Sequence, residues 1–208
     1  MSDAAAYPTT QLPLPESGTL KIGVVADTHL PDRLLSLPSQ LFTALDGVDL
    51  ILHAGDISNP KALRELERVA PVIAVLGNRD IWYQANWSLP LDRVIEVGAV
   101  RIGLTHGHGG LRGYVREKLF YYTVGFHLES FIAAAQARFS DVQAIAFGHS
   151  HHPFNERRGQ VLMFNPGSVS PSYRAAFGAS IGILTSDGRE VRGEIMPLGF
   201  RGEARKLF

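Results

Sequence analysis

Three short apolar runs near the start of the chain, Leu20 to Ala26, Val48 to Ala54 and Pro71 to Leu76, alternate with helix-like segments at Ser39 to Leu45 and Lys61 to Val69. Runs of this length and β-branched content predict buried strands. Their alternation with helices predicts parallel pairing, since parallel neighbours need a long crossover and antiparallel ones only a turn. The expected fold class is α/β. Further along, Arg93 to Val97 and Val100 to Thr105 are separated only by Gly98-Ala99, which predicts a hairpin. Leu111 to Phe139 reads as a long helical stretch carrying Tyr114, Phe120, Tyr121, Tyr122, Phe126 and Phe131. These aromatics are expected in the core, with a substrate wall or an oligomer contact as alternatives. Strands at Val142 to Phe147, Gln160 to Phe164, Ala179 to Thr185 and Glu190 to Ile195 complete the reading.

With 208 residues, 45% of them hydrophobic, the chain has enough apolar surface for one good core. Residues 1–18, with Pro8, Pro13 and Pro15, read as a flexible N-terminal lead, and residues 19–208 as a single domain. Twenty basic residues balance twenty acidic ones, so no global field favours long nucleic acid or an anionic membrane. No apolar run approaches membrane-spanning length, and no secretory signal precedes the first strand. A cytoplasmic protein is the expectation. The absence of cysteine excludes disulfides and thiolate metal sites. Any metal must therefore be held by nitrogen and oxygen.

Open α/β sheets bind ligands beyond the carboxyl ends of their strands, and five such ends here are polar in the same way. Asp27 and His29 follow the first strand, Asp56 the second, Asn78 the third, His106 the strand ending at Thr105, and His149 and His151 the strand ending at Phe147. Carboxylate oxygen, imidazole nitrogen and amide oxygen suit borderline divalent ions such as manganese, iron, zinc or cobalt. A central carboxylate can give one oxygen to each of two ions. Two such ions would leave a positive surplus that attracts phosphate. Gly55, Gly77, Gly107 and Gly148 adjoin these residues, where tight turns are needed. Each Asp or His alone would more readily be a helix cap or a turn residue. Their joint order outweighs that reading.

The motifs Asp27-Thr28-His29, Gly55-Asp56, Gly77-Asn78-Arg79-Asp80, Thr105-His106-Gly107-His108 and Gly148-His149-Ser150-His151, with Asn165-Pro166-Gly167-Ser168, resemble the calcineurin-like metallophosphoesterases. Within them the match is to the small YfcE-type phosphodiesterase branch, over roughly Lys21 to Ile195. The resemblance implies a four-layer α-β-β-α sandwich with two mixed β-sheets and a dinuclear centre. One metal would be held by Asp27, His29 and His151 and the other by Asn78, His106 and His149, with Asp56 bridging. It implies hydrolysis of a small phosphodiester by in-line attack of a metal-bridging hydroxide. A phosphomonoesterase, a nucleotide-processing enzyme and a non-catalytic scaffold of the same fold are the alternatives.

One departure matters. Many relatives carry histidine after the Gly-Asn pair, and this chain has Arg79, which stabilises charge but donates a proton poorly. Asn78, Arg79 and His108 are therefore the candidate catalytic residues, His108 as a substitute acid or else a turn histidine. Leaving groups of low pKa are expected to be turned over fastest. His53 is expected to brace the metal shell or simply to be buried, Asp80 to hold Asn78 or Arg79 or to cap a turn, and His127 and His152 to lie on the surface or in packing. The glycine-rich segment Gly107 to Gly113 lacks dinucleotide-binding spacing. A small phosphate ester is the expected partner, with a homo-oligomer as a further option.

Overall fold

The computed structural model describes residues 7–80, 88–108, 127–170 and 178–199. The early strands are β2 (Leu20–Val25), β3 (Leu50–His53) and β4 (Val72–Ala74), paired in parallel. The crossovers between them carry α1 (Ser39–Ala44) and α2 (Pro60–Leu66). Asn59 caps α2 by accepting the Lys61 N–H at 2.9 Å, and Pro60 occupies a first-turn position where its missing N–H costs nothing. Strands β10 (Ser180–Ser186) and β11 (Val191–Pro197) extend this sheet antiparallel, giving the order β11-β10-β2-β3-β4.

The second sheet begins with the expected hairpin of β5 (Asp92–Val97) and β6 (Val100–Thr105), with Gly98 at φ 60° in the turn. After α3 (Leu128–Gln136), β7 (Ala144–Ala146) lies parallel to β6 and to β9 (Val161–Asn165). Two further strands complete it. They are β1 (Thr9–Leu12), parallel to β5, and β8 (Phe154–Arg158), antiparallel to β9. The order is β1-β5-β6-β7-β9-β8.

Side-chain alternation sorts these strands into layers. Ile22, Val24, Leu50 and Leu52 pack against Ile102, Leu104, Ala144 and Phe164 of the other sheet. The opposite faces meet helices. Val25, Ile51 and Ile183 pack with Leu41 and Leu45 around α1 and with Ala62 and Leu66 of α2. Val94, Ile145 and Met163 pack with Ile132 and Ala135 of α3. The result is the expected four-layer α-β-β-α sandwich with two mixed sheets. Among the described residues no helix is long and apolar enough to cross a membrane.

The structure adds two strands to the sequence reading, and both lie at an edge of the six-stranded sheet. Thr9–Leu12 falls inside the segment read as a flexible lead, and the Pro8 carbonyl accepts the Val94 N–H at 3.0 Å. Pro8 and Pro13 bracket β1, so its pairing ends where proline supplies no donor. In β8 only Phe154 is buried, so the apolar signal that marks a strand is absent. Of the stretch read as a long helix, α3 is described, whereas Tyr114, Phe120, Tyr121, Tyr122 and Phe126 lie outside the described residues.

Candidate metal centre

Strands β2, β3, β4, β6 and β7 all present their carboxyl ends to one edge of the sandwich. Asp27, His29, Asp56, Asn78, His106, His149 and His151 follow those ends. Among the described residues, six non-glycine positions have positive φ, and five of them are Asp27, His29, Asp56, His149 and His151. The left-handed region is sterically disfavoured for L-residues, though Asp and His tolerate it better than most. Such backbone persists only where surrounding contacts over-determine it.

Those contacts are explicit around Asp27. Its carbonyl accepts the Ser168 hydroxyl at 3.1 Å and the Ser170 hydroxyl at 2.8 Å, and its Oδ2 accepts the His149 N–H at 3.1 Å. Asn165 donates to the Gly148 carbonyl at 2.8 Å and to Ser150 Oγ at 3.1 Å, tying the Asn-Pro-Gly-Ser motif to the Gly-His-Ser-His loop. Asp80 accepts the N–H groups of Ile57, Ser58 and Gly77 at 2.9, 2.7 and 2.8 Å, so one carboxylate joins the β3 and β4 loops. Gly77 itself packs so closely that a Cβ there would overlap the Asp56 nitrogen and carboxylate. His53 is buried, and its Nε2 meets Thr28 Oγ1 at 3.2 Å, bracing the Asp27-Thr28-His29 turn.

Within this frame the ligand-type atoms converge. His151 Nε2 lies 3.3 Å from His29 Nε2 and 3.3 Å from Asp27 Oδ1. His29 Nε2 is 3.7 Å from Asp27 Oδ1 and 3.6 Å from Asp56 Oδ2. The other Asp56 oxygen, Oδ1, is 3.4 Å from His106 Nε2 and accepts the Arg79 N–H at 2.8 Å. The two oxygens of Asp56 therefore face different imidazoles. Two atoms bound to one ion at about 2.1 Å each stand roughly 3.0–3.4 Å apart at ordinary coordination angles, so these separations fit an ion. Asp27 Oδ1 is buried and makes no hydrogen bond. A sealed carboxylate oxygen without a donor is costly, and a cation removes that cost.

Electrostatics points the same way. Burial, then the charge of Asp56, raises Asp27 well above the usual carboxylate range, and burial pushes Asp56 up to about 6. Burial and the Asp56 charge push Asp80 up to about 7, against the pull of its three N–H donors. Burial lowers His29, His106 and His151 well below the usual imidazole range. Neutral imidazoles and crowded carboxylates are the protonation states that accept dications.

Two groups of residues can each hold an ion: Asp27, His29 and His151, and Asp27, Asp56 and His106. In the second, His106 donates from Nδ1 to the Ala54 carbonyl at 2.7 Å, which leaves Nε2 as the ligating nitrogen. That Nε2 lies 3.0 Å from Asn78 Oδ1. The His149 ring sits 4.8 Å from the His106 ring and 5.4 Å from Phe131, outside both groups. His108 is buried 5.4 Å from the His106 ring, neither of its nitrogens is hydrogen-bonded, and burial lowers it to about 3. Arg79 is exposed beside the centre, His127 is exposed, and His152 is half-buried. The sequence reading overlooked Arg33, whose Nη1 stands 3.4 Å from His151 Nδ1, because a half-buried loop arginine outside any strand-end motif carries no distinguishing signal.

Residues 20–189 match the model of the calcineurin-like phosphoesterase superfamily domain. The chain belongs to this superfamily. It is 35% identical over 178 residues to a probable metallophosphoesterase of Methanothermobacter thermautotrophicus, covering 86% of this chain and 92% of that protein. It is 27% identical over 185 residues to a phosphodiesterase of Methanocaldococcus jannaschii, covering 83% of this chain and 97% of the other. The same fold occurs in the phosphoesterase Yfce of E. coli, at a TM-score of 0.56 and 23% identity over 88% of this chain and 96% of that one. It occurs also in Vps29 of Chaetomium thermophilum, at a TM-score of 0.61 and 22% identity over 86% and 97%. The expected superfamily is thus borne out. This superfamily member carries two Asp/His clusters consistent with a dinuclear metal site.

Proposed function

We propose that the protein is a metal-dependent phosphodiesterase acting on a small phosphodiester. The observation that carries this reading is the convergence of Asp27 Oδ1, His29 Nε2, His151 Nε2 and both Asp56 oxygens within 3.3–3.7 Å of one another or of His106. Asp27, His29 and His151 would hold one divalent ion and Asn78, His106 and His149 the other, with Asp56 between them. Manganese is the first metal to supply, with iron, zinc and cobalt as alternatives. Paired ions supply Lewis acidity and a nucleophile at neutral pH.

The chain's own groups orient the ester. The Asn78 amide sits where it can contact both His106 and a phosphoryl oxygen, and Arg79 adds positive charge at the open rim. His108, held neutral by burial, offers a hydrogen bond to the leaving oxygen rather than an imidazolium proton. Weak acid assistance favours leaving groups of low pKa. The phosphodiesterase relative supports the choice of a diester.

The test is hydrolysis of bis-p-nitrophenyl phosphate and its monoester by metal-stripped protein resupplied with each ion, alongside Asp56→Asn. Metal-dependent diester turnover that falls to background in the variant is expected. Two bound metals with no turnover of either ester would instead favour a scaffold role.

A further inference from the structure

We propose that Thr105 and Asp92 are positioning residues for the His106 half of the centre: together they fix the turn that aims His106, although neither is among the candidate ligands. The proposal rests on the two-metal reading and assigns roles which that reading leaves open.

Thr105 ends β6 and Asp92 begins β5, directly opposite each other in the hairpin. The Thr105 hydroxyl donates to Asp92 Oδ1 at 2.6 Å, and its oxygen accepts the Gly107 N–H at 3.1 Å. A hydroxyl has one proton and two lone pairs. Because the carboxylate takes the proton, a lone pair is left for the Gly107 N–H, and the residues on either side of His106 are joined through one oxygen. Gly107 stands at φ 95°, a backbone conformation that favours glycine, so this bond closes a sharp turn where the strand would otherwise run on. Thr105, His106 and Asp92 are all buried.

Asp92 is itself held in place. Arg138, just past α3, donates from Nε to the two carboxylate oxygens at 3.2 and 3.1 Å and from Nη2 to Oδ2. Its neighbour Phe139 lies over Gly103 of β6, so close that a Cβ at that glycine would overlap the ring. The Tyr7 hydroxyl donates to the Arg138 carbonyl, and the Tyr7 ring stands 5.0 Å from that of Phe139. The chain of contacts that starts at Tyr7 thus ends at the His106 turn. Outer partners of this kind orient a ligand without binding the metal themselves.

The experiment supplies zinc, a diamagnetic ion, to metal-stripped wild type, Thr105→Val, Thr105→Ser and Asp92→Asn in competition with a chelator. Imidazole resonances of His106 and His29 read the two halves separately. Thr105→Val keeps the shape and removes the hydroxyl. Its His106 half should bind zinc about 10–100-fold more weakly, as for loss of an outer partner of a ligand, with the His29 half unchanged. Thr105→Ser should bind as wild type does. Asp92→Asn keeps an acceptor for the hydroxyl but loses the charge that holds Arg138, and should show a smaller loss at the same half. In metal-free Thr105→Val the Gly107 amide should exchange with solvent faster than in wild type. Unchanged zinc affinity in Thr105→Val, an equal loss in Thr105→Ser, or equal weakening of both halves would each overturn the proposal and leave the two-metal reading standing. Failure of zinc to perturb His106 in wild type would remove that reading, and the proposal with it.

Discussion

The half of the site around Asp27 and the half around His106 are built by different means. Around Asp27 the work is done by backbone. Left-handed residues at Asp27, His29, His149 and His151 are fixed by hydroxyls and N–H groups from residues far apart in sequence, with Ser168 and Ser170 both donating to one carbonyl. Around His106 it is done by one backbone carbonyl and a chain of side chains. The Ala54 carbonyl sets the imidazole tautomer, while Asp92 accepts from Thr105 at 2.6 Å and pairs with Arg138, and Thr105 in turn accepts the Gly107 N–H at 3.1 Å. The first half is stiff because its chain path is over-determined. The second is stiff because a partly buried charge pair, Asp92 with Arg138, holds the strand end. Asp27 belongs to both clusters and Asp56 faces both halves, so the two carboxylates couple what the supports keep separate.

The largest break in that comparison should come from Asp56→Asn. Since Asp56 faces both halves, the variant is expected to lose both metals, whereas His151→Ala keeps the one at His106. Elemental analysis of the purified proteins decides it, and a full complement of one metal in Asp56→Asn would show the halves to be independent. A smaller, one-sided effect is expected of Ser170→Ala, which removes a support of the Asp27 half only. Its metal should bind about 10–100-fold more weakly, as for loss of an outer hydrogen bond to a ligand, with the His106 site unchanged in a chelator competition. Equal weakening of both sites would place the two halves on one support.

The mildest probe is pH. Burial raises both ligating carboxylates in the metal-free protein, Asp56 to about 6 and Asp27 in the same direction, so protons compete with metal as pH falls. The buried imidazoles, shifted downward, add little competition in the same window. Metal affinity should therefore fall as pH drops through 6, tenfold per unit for each proton displaced. Asp56→Asn should make this dependence shallower in whatever binding remains, and an unchanged slope would assign the proton elsewhere.

Much of this centre is legible in the sequence because ligands sit directly after apolar strands, so that strand periodicity places them in space. The four layers follow from the same alternation, as Ile51 between Leu50 and Leu52 shows by pointing to the helices while its neighbours point to the other sheet. What escapes is held by polar contacts between distant segments. Ser170 reads as a loop serine until Asp27 is beside it, Arg33 as a solvent arginine until His151 arrives, and β8 exposes too many of its residues to announce itself. Asp80 is expected to hold Asn78 or Arg79 or to cap a turn, and it accepts instead the N–H groups of Ile57, Ser58 and Gly77 in two loops, while Asp56 takes the Arg79 N–H.

The left-handed turns at the candidate ligands bear on how such a centre can be rebuilt. Placing Asp and His at equivalent points of an ordinary strand end would leave their side chains aimed elsewhere, because φ decides the direction before χ1 does. A transplant therefore has to carry whole loops, with Ser168, Ser170 and Asp80, into a new host. By the same logic, β-branched replacements at these five positions should be tolerated worse than their size suggests, even in a variant asked only to fold.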